Sequence, residues 1–319
     1  MSSQHHITGL HHVTTVAGNP QKNIDFYAGI LGLRFIKQTV NFDSPDVYHL
    51  YYGDYEGNPG TIMTSFPFGD IHQGKRGAGQ ATATQFSASA SSIDYWAERL
   101  QRFGILSTRS TRFGEEVLSF VDYDGLGLEI TGTDADKRAG YHGELVEHEH
   151  SLKGFYGITL NVATDSPTLR LLTDYMNHTV THQENGRTRL RAATDSGVEY
   201  IDLVEDRTQR GLGGNGTVHH IAFRTPDDES QEEIREILLS VGYHPTPIID
   251  RQYFHSIYFR EPNGILFEIA TNPPGFTTDE AIELLGTELQ LPAWHEPKRQ
   301  MIQQLLEPIT TKHLTNDYR

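Results

Sequence analysis

The chain has 319 residues, with 26 Lys and Arg against 42 Asp and Glu, so its formal net charge is −16. This charge argues against nucleic acid or anionic lipid as the main partner, because phosphate contacts need clustered cations. The absence of cysteine excludes a disulfide scaffold, a thiol nucleophile, Cys-ligated zinc and iron–sulfur clusters. No apolar run approaches the roughly 20 residues of a membrane helix, and no signal segment precedes the first element. We therefore expect a cytoplasmic globular protein without a membrane or nucleic-acid partner.

Four segments of the chain repeat one plan, in which a short strand, a polar turn and an amphipathic helix precede strands that end in an apolar run. They begin at Gly9, Gly79, Gly154 and Thr217. Ser, Asp, Asn or Pro precedes each helix and suits its first turn. Each segment is predicted to be a βαβββ module, and so small a sheet must pair with another to close a core. The predicted fold is α+β, with four modules paired into two half-barrels and a C-terminal helical tail.

A polar segment divides the chain between the second module and the third. We predict that residues 1–136 hold the first pair of modules and that 137–152 form a linker. Residues 153–271 then hold the second pair, and 272–319 form a tail that packs back onto the core.

Two His-His pairs begin equivalent strands, His11-His12 in the first module and His219-His220 in the fourth, and Glu268 lies on the last strand of the fourth. Two imidazoles and one carboxylate, with other positions open, form the ligand set of non-haem Fe(II) oxygenases. Because side chains alternate between the faces of a strand, the second histidine of each pair is predicted as the ligand. His11 and His219 would reach the site only through a bulge or a strand end. The alternative is that each pair merely caps a buried strand with hydrogen bonds.

The apolar alternation of the strands tests this arrangement. In the fourth module Ile221 and Phe223 share one face, which we expect to pack under the helices. The opposite, concave face then carries a consistent polar set: His12, Thr14, His220, Tyr258 and Glu268.

The other two modules are an internal control. At the position of His12 they carry Thr84 and Gly157, and Glu129 has no histidine to accompany it. We therefore expect the first module to pair with the fourth around a metal, and the second with the third around an empty site.

Two other motifs predict no chemistry. Residues 211–216 match G-x-G-x-x-G but precede a strand, whereas a dinucleotide fingerprint follows a strand and opens a helix. His148, Glu149 and His150 lie in the linker, where a solvated charged loop is the expectation.

These residues resemble the vicinal oxygen chelate superfamily, whose βαβββ modules pair into metal-holding half-barrels. Within it, the chain is most similar to the ring-cleaving dioxygenase family that includes hydroquinone 1,2-dioxygenases of the chlorohydroquinone type. The resemblance covers nearly the whole chain and is carried by GLHHVT, VHHIAFRT, the run DRQYFHSIYFREPNGILFEIATNPPGF and the tail motifs LPAW and EPKR.

The resemblance implies an Fe(II)-dependent enzyme that opens a hydroquinone-type ring with dioxygen next to a hydroxylated carbon. Its partners would be a small aromatic substrate and dioxygen, with Mn(II) and homo-oligomeric assembly left open. It also implies metal ligation by His12, His220 and Glu268. The residues implied to surround the metal and act in catalysis are His11, Thr14, His219, Arg251 and Tyr258.

Three alternatives stay open. A catechol extradiol dioxygenase would take its ligands from the third and fourth modules, and Gly157 departs from that pattern. A glyoxalase-like isomerase or lyase needs metal-bound glutamates in two modules, and the first module ends at residues 60–63 without a carboxylate. A non-catalytic small-molecule binding protein of the same superfamily would need no catalytic side chains around the ligand set.

Overall fold

The structure is a computed structural model that describes residues 6–194 and 198–319. In this part of the chain, sixteen strands form two curled eight-stranded sheets with helices packed on their outer faces. The prediction of an α+β fold made of four βαβββ modules is confirmed. No helix among the described residues has the length and apolar character needed to cross a bilayer.

All four modules have the same order of elements. The first comprises β1 (Leu10–Ala17), α1 (Pro20–Ile24), a π-helical segment (Asp25–Ile30), β2 (Arg34–Asn41), β3 (Ser44–Gly53) and β4 (Ile62–Pro67). The second comprises β5 (Gln80–Ala88), α2 (Ile93–Arg102), β6 (Thr108–Arg112), β7 (Glu115–Val121) and β8 (Gly127–Gly132). The third comprises β9 (Gly154–Val162), α3 (Asp165–Arg170), a π-helical segment (Leu171–Tyr175), β10 (His178–Glu184), β11 (Arg187–Ala192) and β12 (Tyr200–Glu205). The fourth comprises β13 (Thr217–Thr225), α4 (Asp228–Ser240), β14 (Ile249–Asp250), β15 (Phe254–Arg260) and β16 (Leu266–Pro274).

The sheets join modules that are distant in sequence. One sheet has the strand order β14-β15-β16-β13-β1-β4-β3-β2, which pairs the fourth module with the first. The other has the order β10-β11-β12-β9-β5-β8-β7-β6, which pairs the third with the second. Each sheet therefore takes one module from either side of residues 137–152. The predicted division of the chain into domains, with bounds 1–136, 137–152, 153–271 and 272–319, stays a prediction.

Local sequence explains why the helices form and which face they bury. In α4 the Asp227 side chain caps the first turn by accepting the backbone N–H of Ser230 at 2.8 Å. Ile234 and Leu238 are spaced by one helical turn, and both are fully buried. They pack in the core against the apolar face of the sheet, which includes Phe223 of β13.

Two β-bulges reorient the paired histidines. The antiparallel register between β1 and β13 shifts by one residue immediately before His12 and immediately before His220. His11 and His219 are therefore the extra residues of two bulges. From the sequence alone, His11 and His219 are expected to approach the concave face only through a bulge or a strand end.

The second sheet has bulges at the equivalent positions, Thr82 and Tyr156. Counted from these bulges, the residue equivalent to the candidate histidine ligand is Ala83 in the second module and Gly157 in the third. The assignment of Thr84 to that position is wrong, because Thr84 lies in the row of Leu128, which faces the core.

The tail after β16 packs onto the first sheet. It contains α5 (Arg299–Leu305) and α6 (Leu314–Asp317), and Ile302 and Leu314 are buried in the main core. Lys37 of β2 is fully buried and forms ion pairs with Asp279 at 2.6 Å and with Glu280 of the tail. This tail segment therefore covers the β2 edge of the first half-barrel.

Candidate metal centre

Three adjacent strands bring the predicted ligands to one point on the concave face of the first sheet. His12 lies on β1, His220 on β13 and Glu268 on β16. The Nε2 atoms of the two imidazoles are 3.2 Å apart. Oε2 of Glu268 lies 3.2 Å from His12 Nε2 and 2.8 Å from His220 Nε2. All three side chains are buried, and their spacing is compatible with one shared ion.

Each bulged histidine contacts the candidate ligand that follows it, and His11 fixes the tautomer of His12. His11 Nε2 donates to the carbonyl of Thr271 at 3.2 Å, so its Nδ1 accepts the Nδ1–H of His12 at 2.9 Å. The Nδ1 atoms of His219 and His220 are likewise 2.8 Å apart. Burial lowers the pKa of His11 well below its usual value and that of His219 to about 3, so both rings are neutral at pH 7. The Nε2 lone pair of His12 therefore points at the carboxylate.

Glu268 shows that a cation fits this point. Its carboxylate is fully buried and lies against the imidazoles of His12 and His220. Its Oε1 accepts the hydroxyl of Ser256 at 2.5 Å, whereas none of the described residues donates to its buried Oε2. One carboxylate oxygen and two imidazole nitrogens thus converge on one point. The set suits a divalent metal ion.

A cavity of about 430 Å³ opens beside the three candidate ligands. Its apolar walls are formed by Phe42, Phe66, Ile249, Phe254 and Leu266. Its size and its mainly apolar lining with a few polar groups are typical of a site for a small organic molecule.

Tyr258 and Arg251 form one polar wall of the cavity. The Tyr258 ring packs against His220, and its hydroxyl accepts Nε–H of Arg251 at 3.2 Å. Burial and the charge of Glu268 raise the pKa of Tyr258, so the phenol is protonated at neutral pH. Arg251 also pairs with Asp43 at 3.2 Å across the cavity mouth.

A hydrogen-bond chain that includes Thr14 lies behind the opposite wall of the cavity. The hydroxyl of Thr64 donates to Thr14 Oγ1 at 3.1 Å and lies 2.6 Å from His49 Nε2. His49 Nδ1 lies 2.8 Å from the hydroxyl of Tyr51. Burial lowers the pKa of His49 well below its usual value, so it is neutral at neutral pH. His49 and Tyr51 line the cavity and were missed from sequence, although the alternation of β3, with buried Tyr48, Leu50 and Tyr52, could have indicated them.

The second half-barrel carries guanidinium groups at the equivalent place. Glu129 lies opposite Gln85 as Glu268 lies opposite Ala222. Arg112 contacts the two Glu129 oxygens at 2.7 and 2.9 Å. The carboxylate of the third module, Asp202, is held in the same two-pronged way by Arg189 at 2.8 and 2.9 Å. The carboxylates are neutralised by arginine, and the histidine positions hold alanine and glycine. A further acidic group in the linker, Glu147, Glu149 and His150, is largely exposed.

The comparisons with known proteins agree with this fold. Residues 9–130 and 154–269 match the Glyoxalase/Bleomycin resistance protein/Dioxygenase superfamily. The chain is 44% identical over 96% of its length to a Bacillus subtilis protein named "Putative ring-cleaving dioxygenase MhqO", covering 98% of that protein. It is 33% identical over 95% of its length to the "Chlorohydroquinone/hydroquinone 1,2-dioxygenase" of Sphingobium indicum, covering 97% of that protein.

Solved structures show the same relationship. A crystal structure titled as a "putative dioxygenase" from Bacillus subtilis superposes with a TM-score of 0.93 at 44% identity, covering 96% of this chain and 99% of the other. Glyoxalase I from Zea mays, at 12% identity, shares the fold with a TM-score of 0.64, covering 88% of this chain and 97% of the other. The chain therefore belongs to the Glyoxalase/Bleomycin resistance protein/Dioxygenase superfamily and, within it, to the family of these ring-cleaving relatives.

Proposed function

We propose that this protein is an Fe(II)-dependent dioxygenase that opens a hydroquinone-type ring next to a hydroxylated carbon. The observation that carries the proposal is the buried convergence of His12, His220 and Glu268 beside a cavity large enough for a substituted ring. The relative named a hydroquinone 1,2-dioxygenase supports the substrate class. Mn(II) is the alternative metal, because imidazole and carboxylate ligands serve both ions.

The metal would be held by His12 and His220 through Nε2 and by Glu268 through Oε2. When bound, it would lower the pKa of a coordinated phenol and bring dioxygen next to the ring. His11 and His219 act by orientation. Their Nδ1 atoms face the Nδ1 atoms of the two candidate ligands, and this contact keeps each ligand's Nε2 free for the ion.

Tyr258 and Arg251 act on the substrate oxygen nearest the ligands. The Tyr258 phenol stays protonated at neutral pH, so it enters the reaction as a hydrogen-bond donor and a source of a proton. Arg251 orients that hydroxyl through its 3.2 Å contact and stabilises negative charge that develops on the oxygen.

His49 positions polar groups on the opposite wall. It is neutral, it lines the cavity, and Thr64 and Tyr51 hold its ring at both nitrogens. Thr14 receives the Thr64 hydroxyl and so completes the support of this ring. Tyr258 on β15 and His49 on β3 lie on opposite sides of the central strands, so they would contact opposite edges of a bound ring.

The test is oxygen uptake by protein loaded anaerobically with Fe(II) and supplied with hydroquinone or, separately, with catechol. We expect uptake with hydroquinone and its loss in His220→Ala and Glu268→Ala. Uptake with catechol alone would keep ring cleavage and overturn the substrate class. Turnover of a thiol adduct without oxygen would favour the isomerase or lyase alternative. Metal binding without any turnover would favour a binding protein.

The location of the protein in the cell and its oligomeric state also stay predictions. A cytoplasmic location is proposed from composition, and it is tested by cell fractionation. Homo-oligomeric assembly is left open, and sedimentation analysis of the metal-loaded protein decides it.

A further inference from the structure

The mouth of the cavity carries an ion pair between opposite edges of the curled sheet. Asp43 lies in the turn between β2 and β3, and Arg251 follows β14. Strands β2 and β14 are the two edge strands of this sheet, and the 3.2 Å contact between Arg251 Nη1 and Asp43 Oδ2 spans them. The turn is held in place because Asn41 Oδ1 accepts the backbone N–H of Asp43 at 3.0 Å.

The Asp43–Arg251 pair sets the net charge of the cavity that a substrate ring enters. Among the described side chains that line the cavity, Arg251 is the only lysine or arginine. One side of its guanidinium faces the Tyr258 hydroxyl and another faces Asp43. The remaining walls beyond the histidines are largely apolar, as Phe42, Ile249 and Leu266 show. A second anionic group on the ring would therefore enter without a cation to receive it, at a desolvation cost.

We propose that Asp43 is a specificity-determining residue: by occupying Arg251 it restricts the enzyme to hydroquinones with neutral substituents and excludes carboxylated ones. The inference rests on the proposed function for its substrate class. Asp43 is itself exposed, with a side-chain accessibility of 78%, so its carboxylate can be removed without opening the core. Once freed, Arg251 is a natural partner for a ring carboxylate, because guanidinium and carboxylate groups match in geometry.

The experiment compares Asp43→Asn with the wild type on hydroquinone and on 2,5-dihydroxybenzoate. Asp46→Asn is the matched control, since Asp46 is an exposed aspartate of the same hairpin and its removal changes the net charge equally. We expect the ratio of kcat/KM for 2,5-dihydroxybenzoate to that for hydroquinone to rise at least about tenfold in Asp43→Asn, the effect of one charge-assisted hydrogen bond. The ratio in Asp46→Asn should stay at the wild-type value.

Two results would overturn the inference: wild-type protein that turns over both compounds equally well, or an Asp43→Asn ratio equal to that of the wild type. Absence of oxygen uptake with hydroquinone would instead refute the proposed function. In that case the role of Asp43 is tested by binding alone, with calorimetric titration of 2,5-dihydroxybenzoate into the Mn(II)-loaded proteins under nitrogen. Tighter binding of 2,5-dihydroxybenzoate by Asp43→Asn than by the wild type and Asp46→Asn supports the inference, and equal binding refutes it.

Discussion

Replacing Glu268 by glutamine should abolish metal-dependent stabilisation while preserving the shape of the site. The carboxamide keeps the volume of the side chain but brings a neutral group to the point where Oε2 meets His12 and His220 at 3.2 and 2.8 Å. A neutral amide cannot balance a divalent charge in a buried site, so metal affinity should collapse.

The expected shift in melting temperature follows from linkage. Metal at about 1,000 times its Kd stabilises the folded state by about 4.1 kcal/mol. The unfolding entropy is about 2.1 cal/mol/K per residue, or about 0.7 kcal/mol/K for the 319 residues of this chain. Mn(II) should therefore raise the wild-type melting temperature by about 6 °C, and that of Glu268→Gln by less than about 1 °C.

Calorimetry with Mn(II) or with a chelator measures this shift, and metal analysis after dialysis should find one ion per wild-type chain. Glu129→Gln is the matched control in the second half-barrel. It should lower the baseline melting temperature, because the amide removes the negative charge and one of the two oxygens that accept from Arg112 at 2.7 and 2.9 Å, yet it should keep the full increment from metal. An undiminished increment in Glu268→Gln, or its loss in Glu129→Gln, would refute the assignment of the metal to the first half-barrel.

Three other predictions concern catalysis, pH and the tail. Tyr258→Phe removes the hydroxyl that contacts Arg251 and should lower kcat in oxygen-uptake assays by about 10²-fold or more, with little change in melting temperature; a loss under threefold would contradict its role. Burial lowers the pKa of His178 to about 4. The unfolded state, with a pKa near 6.5, binds the proton more readily, so His178 contributes stability that is present above pH 6.5. That contribution, up to about 3 kcal/mol, is lost as the pH falls towards 4. The free energy of unfolding in urea should depend less on pH in His178→Gln than in the wild type. The same pH dependence in both proteins would refute this. Asp279→Asn with Glu280→Gln leaves the Lys37 ammonium buried without its ion pairs and should cost about 3–5 kcal/mol in urea unfolding. Adding Lys37→Met should recover part of that loss, and no recovery would argue against a buried charge as the cause.

Alternation along the strands carried much of the sequence argument. It predicted that His12, His220, Tyr258 and Glu268 share one face, and the structure places all four at the concave side of the first sheet. This succeeded because the side-chain period of a strand is a local property, and the buried apolar residues between these positions fix which face is turned inward. The recurrence of the modules likewise predicted the fold class, and the positions of the histidines and Glu268 predicted the pairing of the first module with the fourth.

The pairing between distant strands determined the positions of the β-bulges, which alternation along a single strand could not predict. The bulges at His11 and His219 exist only because β1 meets β13 in a particular register, and they also displaced the expected equivalence of Thr84.

The sequence alone thus determined the modules, the candidate ligand set and the face it occupies, because each follows from short-range periodicity and residue chemistry. The tertiary structure decided the partners of those residues. It brought His49 to the cavity, closed Asp43 onto Arg251 between the two edge strands, and buried Lys37 under the tail. Such contacts join segments up to about 240 positions apart, and they form only when a curled sheet brings its edges together, which no local pattern records.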